Sequence, residues 1–402
     1  MSLRELPDEA ASLLSQQDIE SPAAVALSVR DLRLANFRSY ESLAIVTSGC
    51  PVVLTGPNGA GKTNLLEAIS LLVPGRGLRG ATLAEHTRKG PACGNSLWAV
   101  RATVQRAGET YEIGTGLSAG ANGATRQVCL NGAAAQNSND LSELIQMAWL
   151  TPAMDRLFIE SASGRRRFLD RLTLGSTSSH GTASLRYEQA MRERARLLKF
   201  GPRDPGWLSG LEQQMAEHGL AICAARKATV DCLNEALAQR EAVAFPQAFL
   251  SLEGNADCLY AQEGQTACDT FRGMLERGRV RDAESGRTGF GPHISDLRVR
   301  HTAKRMDARD CSTGEQKALL ISIILAQARH LSHIREGLAP ILLLDEIVAH
   351  LDVTRRTALF EEILALGAQA WMTGTELAMF GPLAGRAEIF EVAESRLTRM
   401  SD

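Results

Sequence analysis

At 402 residues the chain has room for two or three domains with a sizeable core, and its 44% hydrophobic and 22% charged content is ordinary for a soluble fold. A formal net charge of −2 excludes a global basic field, so any nucleic-acid contact must come from local patches, and no apolar run is long enough for a transmembrane helix. The eight cysteines form no C-x-x-C pair, which excludes the common zinc and redox spacings and reads as reduced thiols in a cytoplasmic chain.

Residues 1–26 hold Pro7, Pro22 and several serines without the charged start and apolar core of a secretion signal. They read as a mobile extension with a short helix around Leu6–Leu14. From Leu27 the pattern is strand-like, with Val29, Leu32, Leu34 and Phe37 leading to Tyr40, then the short apolar run Pro51–Thr55. Gly56–Thr63 reads G-P-N-G-A-G-K-T and fits G-x-x-x-x-G-K-[ST] at every fixed position. Leu65, Leu66, Ile69, Leu72 and Val73 follow at helical spacing. This strand–loop–helix order is what phosphate binding requires. Gly56, Gly59 and Gly61, with Pro57, Asn58 and Ala60 between them, bring backbone N–H groups around a polyphosphate, and the helix N-terminus adds its positive dipole end. Lys62 is then placed for the β- and γ-phosphates and Thr63 for Mg²⁺.

Short alternating segments from Leu97 to Leu130 end in Asn131-Gly132, a strong hairpin signal, and predict an antiparallel β region. After Pro152 the texture becomes helical. Arg, Glu, Leu and Ala at helical spacing fill residues 165–240, broken only at Gly201–Gly206, which predicts two antiparallel helices. A strand near Ala248–Leu250 and a helix near Thr270–Gly278 follow. From Phe290 the α/β pattern returns, with Ile341–Leu344, Gln369–Met372 and Ala387–Phe390 as buried parallel strands. The expected division is a nucleotide-binding domain over 27–164 and 287–402, with a helical insertion over 165–286.

Asp345-Glu346 follow the apolar run Ile341–Leu344 directly. In a loop-binding NTPase the first carboxylate helps hold Mg²⁺ and the second is placed as general base for the attacking water. Upstream, Ser312 and Glu315 have the spacing of a capping box before the apolar helix Ala318–Ala328. Its place ahead of the acidic strand resembles the signature motif of the ABC ATPases, where a helix N-terminus binds the γ-phosphate of a nucleotide held by the opposite subunit. That resemblance makes Ser312, Gly314 and Gln316 nucleotide contacts. His350-Leu351-Asp352 follows at D-loop spacing, adding Asp352. Thr373–Glu376 lies where many ABC ATPases carry a switch histidine and has none, leaving Thr373, Thr375 or no side chain as the γ-phosphate sensor.

About 250 residues separate loop from signature. That gap is longer than the one in transport ATPase subunits and argues for the chromosome-maintenance branch, without its long coiled coils or zinc hook. From Val29 onward the chain resembles the RecF family of bacterial recombination mediators. The carrying residues are Asn36–Tyr40, Gly75–Arg79, Asn131-Gly132, Thr151-Pro152, Arg165–Asp170, Gly291-Pro292-His293 with Asp296, Ser312–Lys317 and Asp345-Glu346. It departs from the family at Ala153, Ile294 and Ser295. The resemblance implies an α/β ABC-ATPase head, a mixed phosphate-loop sheet with an antiparallel subdomain, plus a helical arm. It further implies weak DNA-stimulated hydrolysis of ATP with Mg²⁺, an ATP-dependent homodimer, and no membrane. Expected partners are double-stranded and gapped DNA and RecR with RecO, so that RecA loads onto single strands in gap repair, replication restart and SOS induction. Arg76, Arg79, Arg192, Arg194 and Arg196 are candidate DNA contacts. Glu188 and Glu193 among the last three also fit a merely solvated helix face. A transport ATPase subunit and a non-hydrolysing ATP-dependent DNA clamp remain alternatives.

Overall fold

Alternating apolar residues build the first sheet. Strand β1 (Leu27–Phe37) buries Val29, Leu32 and Leu34. The step from 29 to 32 crosses a register shift between Val29 and Asp31, a bulge that returns the same face to the core. β1 pairs antiparallel with β2 (Tyr40–Val46) and β4 (Ala99–Arg106). β5 (Glu109–Gly120), β6 (Gly123–Leu130) and β7 (Ala133–Ala134) extend it in the order β2-β1-β4-β5-β6-β7. Asn131 and Gly132 both have positive φ, 49° and 80°, the two-residue hairpin loop their dipeptide predicts.

Continuous apolar runs build the second sheet. β3 (Val52–Thr55), β8 (Met147–Leu150), β12 (Ile341–Leu344) and β13 (Ala370–Gly374) are buried at every residue, as strands covered on both faces must be. With β14 (Glu388–Ala393) they run parallel in the order β14-β3-β13-β12-β8. β15 (Arg396–Arg399) closes one edge antiparallel. Helices α1 (Lys62–Ser70), α2 (Asp140–Leu144) and α9 (Val353–Ala365) accompany these sheets. The buried Gln369 amide accepts from Val29 N–H at 2.8 Å and donates to Val29 C=O at 3.1 Å, tying the two sheets through one side chain.

This computed structural model describes residues 26–89, 97–120, 123–135, 140–201, 205–239, 244–349 and 351–400. The extension expected over 1–26 lies outside them but for its last residue, as do the centre of the 201–206 break and His350. Both sheets belong to one compact unit, Met1–Pro152 with Leu331–Asp402; Ala153–His330 forms a second.

In the second unit, α3 (Ala162–Ser176), α4 (Ser179–Phe200) and α5 (Pro205–Ala238) precede β9 (Ala248–Glu253), α6 (Asn255–Glu263) and α7 (Cys268–Ser285). β10 (Asp296–His301) lies between β9 and β11 (Met306–Asp307), and α8 (Thr313–Ile334) follows. Tyr187, Met215, Leu220, Phe271 and Leu275 interdigitate in its core. Gly219 is required there, because a Cβ would come within 2.7 Å of the Phe271 ring. The insertion expected over 165–286 falls inside this unit, which also takes in β10, β11 and most of α8.

Arg194 corrects the candidate DNA contacts. It is fully buried and donates to Glu212 Oε1 at 3.0 Å, Asp282 Oδ2 at 2.8 Å and Leu275 C=O at 2.7 Å. A guanidinium with these partners is a structural cation and is closed to phosphate.

Candidate functional site

The phosphate loop sits between β3 and α1, where a buried parallel strand delivers the chain to a helix N-terminus. Gly61 has φ +114°, and a Cβ there would come 2.7 Å from the Tyr40 hydroxyl. That hydroxyl donates to Gly61 C=O at 3.1 Å, so Tyr40 fixes the last turn of the loop from behind. Lys62 Nζ donates to the loop's own carbonyls, Gly56 C=O at 2.6 Å and Pro57 C=O at 2.9 Å. Burial pulls its ammonium below the ordinary lysine range, against the opposing fields of Glu346 and Asp345.

The acidic pair lies at the C-terminal end of β12, beside the same loop. Thr63 Oγ1 donates to Asp345 Oδ1 at 2.9 Å across 282 positions of sequence. Thr373 Oγ1, at the end of β13, donates to the same oxygen at 2.8 Å. Glu346 N–H donates back to Thr373 Oγ1 at 2.8 Å. Lys62, Thr63, Asp345, Glu346 and Thr373 are thus brought together, while Thr375 is exposed. Among the described residues no group of three or more His, Cys, Asp or Glu could cage a metal. One hydroxyl and one carboxylate do fit Mg²⁺, which keeps waters and takes its other ligands from phosphates. Asp352 caps α9 by accepting Arg355 N–H at 2.8 Å.

Glu67 escapes a reading of sequence patterns. It is fully buried on α1, where helical periodicity alone makes it one more surface acid. Arg38 meets it with two bonds of 2.8 Å, and Arg79 with one of 2.9 Å. Arg79, a candidate DNA contact, therefore braces the loop helix, with a second bond to Asn64 Oδ1 at 2.9 Å. Arg76 is exposed. Arg126 of β6 donates to the carbonyls of Leu71, Val73 and Gly75, holding the chain as it leaves α1.

Ser312, Gly314 and Gln316 belong to the second unit. Ser312 caps α8 reciprocally. Its N–H donates to Glu315 Oε2 at 3.1 Å, and Glu315 N–H donates to Ser312 Oγ at 3.4 Å. The Lys304 ammonium, followed by the Ser312 N–H, holds the Glu315 carboxyl down to about 2. Ser312 is exposed and Gly314 opens onto empty space, so the helix N-terminus is accessible. Gln316 is buried, its amide donating to Cys311 C=O at 2.9 Å. On α4, Arg192 and Arg196 are exposed, and Arg192 lies 3.6 Å from Glu188.

Residues 28–391 match the family model described as RecF/RecN/SMC N terminal domain. A protein of Rhizobium etli, named DNA replication and repair protein RecF, is 47% identical over 372 residues, 92% of this chain and 98% of its own. Its namesake in Mesorhizobium japonicum is 49% identical over 366 residues, 90% and 96% of the two chains. The solved structure of the recombination mediator protein RecF-ATPrS in the RecFOR pathway superimposes with a TM-score of 0.82 at 20% identity, covering 94% of this chain and 99% of that one. At that identity the likeness carries the fold alone. The fold is that of an ABC-ATPase head with a helical insertion.

Proposed function

We propose that this chain, which belongs to the RecF family of DNA replication and repair proteins, is an ATP-dependent DNA-binding recombination mediator. The observation that carries the nucleotide reading is the convergence of Lys62, Thr63, Asp345 and Thr373 where β3, β12 and β13 end side by side. In this reading Gly56–Thr63 wraps the phosphates of ATP, and Lys62 leaves its loop carbonyls for the β- and γ-phosphate oxygens. Thr63 and Asp345 hold Mg²⁺, which when bound neutralises charge on those oxygens. Glu346 takes the proton of the attacking water. Ser312 and Gly314, with Asp352, act on the nucleotide of a second copy, so that ATP closes a homodimer, while Gln316, expected from the sequence as a further contact, is buried and holds the start of α8 through Cys311 C=O. Functionally we divide the chain into an ATPase head, 27–164 with 287–402, and an arm, 165–286.

The dimer binds double-stranded DNA and gap edges in the cytoplasm and works with RecR and RecO. It prepares single strands for RecA in gap repair, replication restart and SOS induction. Hydrolysis is weak and DNA-stimulated. Family membership supports this reading, as does the absence, among the described residues, of a helix long and apolar enough to cross a membrane. Of the departures from the family, Ser295 donates its hydroxyl to Asp257 within the second unit.

The test is electrophoretic retention of gapped duplex DNA with ATP, with ADP and without nucleotide, for wild type and Lys62→Ala. ATP-specific retention, lost in the variant together with about 2–4 kcal/mol of nucleotide affinity, is expected. Equal retention in all lanes would sink the ATP-dependent reading.

A further inference from the structure

We propose that Thr373 is the positioning residue of the hydrolytic centre, a single hydroxyl that aims Asp345 at the metal and sets the backbone of Glu346. This rests on the nucleotide reading above and adds to it a residue that touches neither substrate nor ion.

β12 and β13 are parallel neighbours with Leu344 opposite Met372. The next residues, Asp345 and Thr373, therefore lie side by side and point to one face of the sheet. β13 also pairs with β3, Thr373 opposite Leu54, so Thr373 stands between the strand that feeds the phosphate loop and the strand that feeds the acidic pair. Thr373 is fully buried. Its two hydrogen bonds have only one possible polarity. A carboxylate can only accept and an amide N–H can only donate, so the hydroxyl proton goes to Asp345 Oδ1 and a lone pair receives Glu346 N–H.

Each bond does something different. Thr63 and Thr373 converge on Oδ1 of Asp345, which leaves Oδ2 to offer its lone pairs to a hydrated cation. Glu346 holds φ at +49°, a left-handed conformation that a non-glycine residue adopts reluctantly. The hydroxyl that accepts its N–H keeps it there, and so decides where the Glu346 side chain departs from the backbone. A switch histidine reaches a nucleotide directly. Thr373, buried behind the acidic pair, acts only through Asp345 and Glu346.

The experiment compares wild type, Thr373→Val and Thr373→Ser in two readouts, fluorescent-ATP titration with EDTA or with increasing Mg²⁺, and steady-state hydrolysis against Mg²⁺. Valine keeps the volume and removes both bonds. We expect Thr373→Val to bind ATP in EDTA as wild type does and to lose about 10–100-fold in Mg²⁺ response and turnover. Serine keeps the hydroxyl and is expected to restore both. Should Thr373→Val fail to fold, Thr373→Cys takes its place, since a thiol is only a weak donor and acceptor, and the same direction of loss is expected. A wild-type Mg²⁺ response in the hydroxyl-free variant overturns the inference. So does a serine variant as defective as valine, because methyl packing would then be the cause. Wild type that binds no ATP in any titration overturns the nucleotide reading itself, a separable result.

Discussion

Replacing Arg194 by Ala is expected to destabilise the 153–330 unit by about 3–5 kcal/mol, the cost of breaking a buried ion pair from one side. The structure places the value within that range. Arg194 has four acceptors at 2.7–3.4 Å: Glu212, Asp282, Leu275 C=O and Thr288 Oγ1. Glu212 retains Arg279, bonded to its Oε1 at 3.0 Å. Asp282 retains Gly289 N–H at 3.0 Å and, among the described residues, the more distant Arg281 at 3.9 Å as a cation. One carboxylate is thus nearly orphaned and the other is still paired, which places the loss near the lower end, about 3 kcal/mol. Arg194→Lys keeps the charge without the planar fork and should lose about 1.5–3 kcal/mol, one charged hydrogen bond or more. Urea denaturation followed by far-UV circular dichroism and by Trp207, the one tryptophan of this unit, reads both values. A loss below about 0.5 kcal/mol for Arg194→Ala, the range of an ordinary surface substitution, would refute the reasoning.

The exposed neighbours should behave oppositely. Arg192→Ala with Arg196→Ala is expected to leave stability within about 0.5 kcal/mol; if α4 meets DNA, the slope of log affinity against log salt shrinks by up to about two. An unchanged slope moves the DNA surface away from α4. Glu346→Gln should retain ATP and stop turnover, with the nucleotide-bound dimer accumulating in sedimentation; wild-type turnover would remove Glu346 as base. Ser312→Arg should leave nucleotide binding by the monomer intact and abolish ATP-dependent dimerisation. An equal fall in both would refute a role in trans. His86 is buried between Phe37 and Trp98 with neither ring nitrogen hydrogen-bonded, and burial lowers its pKa despite the nearby Glu67. The neutral ring is favoured in the fold, so its contribution is fully present above the unfolded pKa of about 6.5 and is lost as pH falls below that through the lowered folded pKa. His218 and His293 shift the same way. Hence His86→Phe should reduce, without abolishing, the stability lost as pH falls below about 6.5. An identical loss in both proteins would show that His86 does not titrate in this window.

Local order determined much of this protein before any folding was considered. The phosphate loop needs its glycines, lysine and threonine consecutive, because one turn of backbone must surround one polyphosphate, so Gly56–Thr63 is legible in one dimension. Ile341–Leu344 and the Ser312–Glu315 cap are legible for the same reason, since a buried strand and a helix start each arise from a few adjacent residues. Asn131-Gly132 specified its own turn. What only the tertiary structure decided involves partners distant in sequence. Arg192, Arg194 and Arg196 look alike along the chain, and only the packing of α5 and α7 against α4 makes the middle one a buried cation. Glu67 is a helix acid until Arg38 and Arg79 arrive from before and after α1. Thr373 is one of two threonines in a strand end until β13 is inserted between β3 and β12. A hydrogen bond depends on position in space and on the pairing of donor with acceptor, and neither is written in the order of residues until the sheet has been assembled.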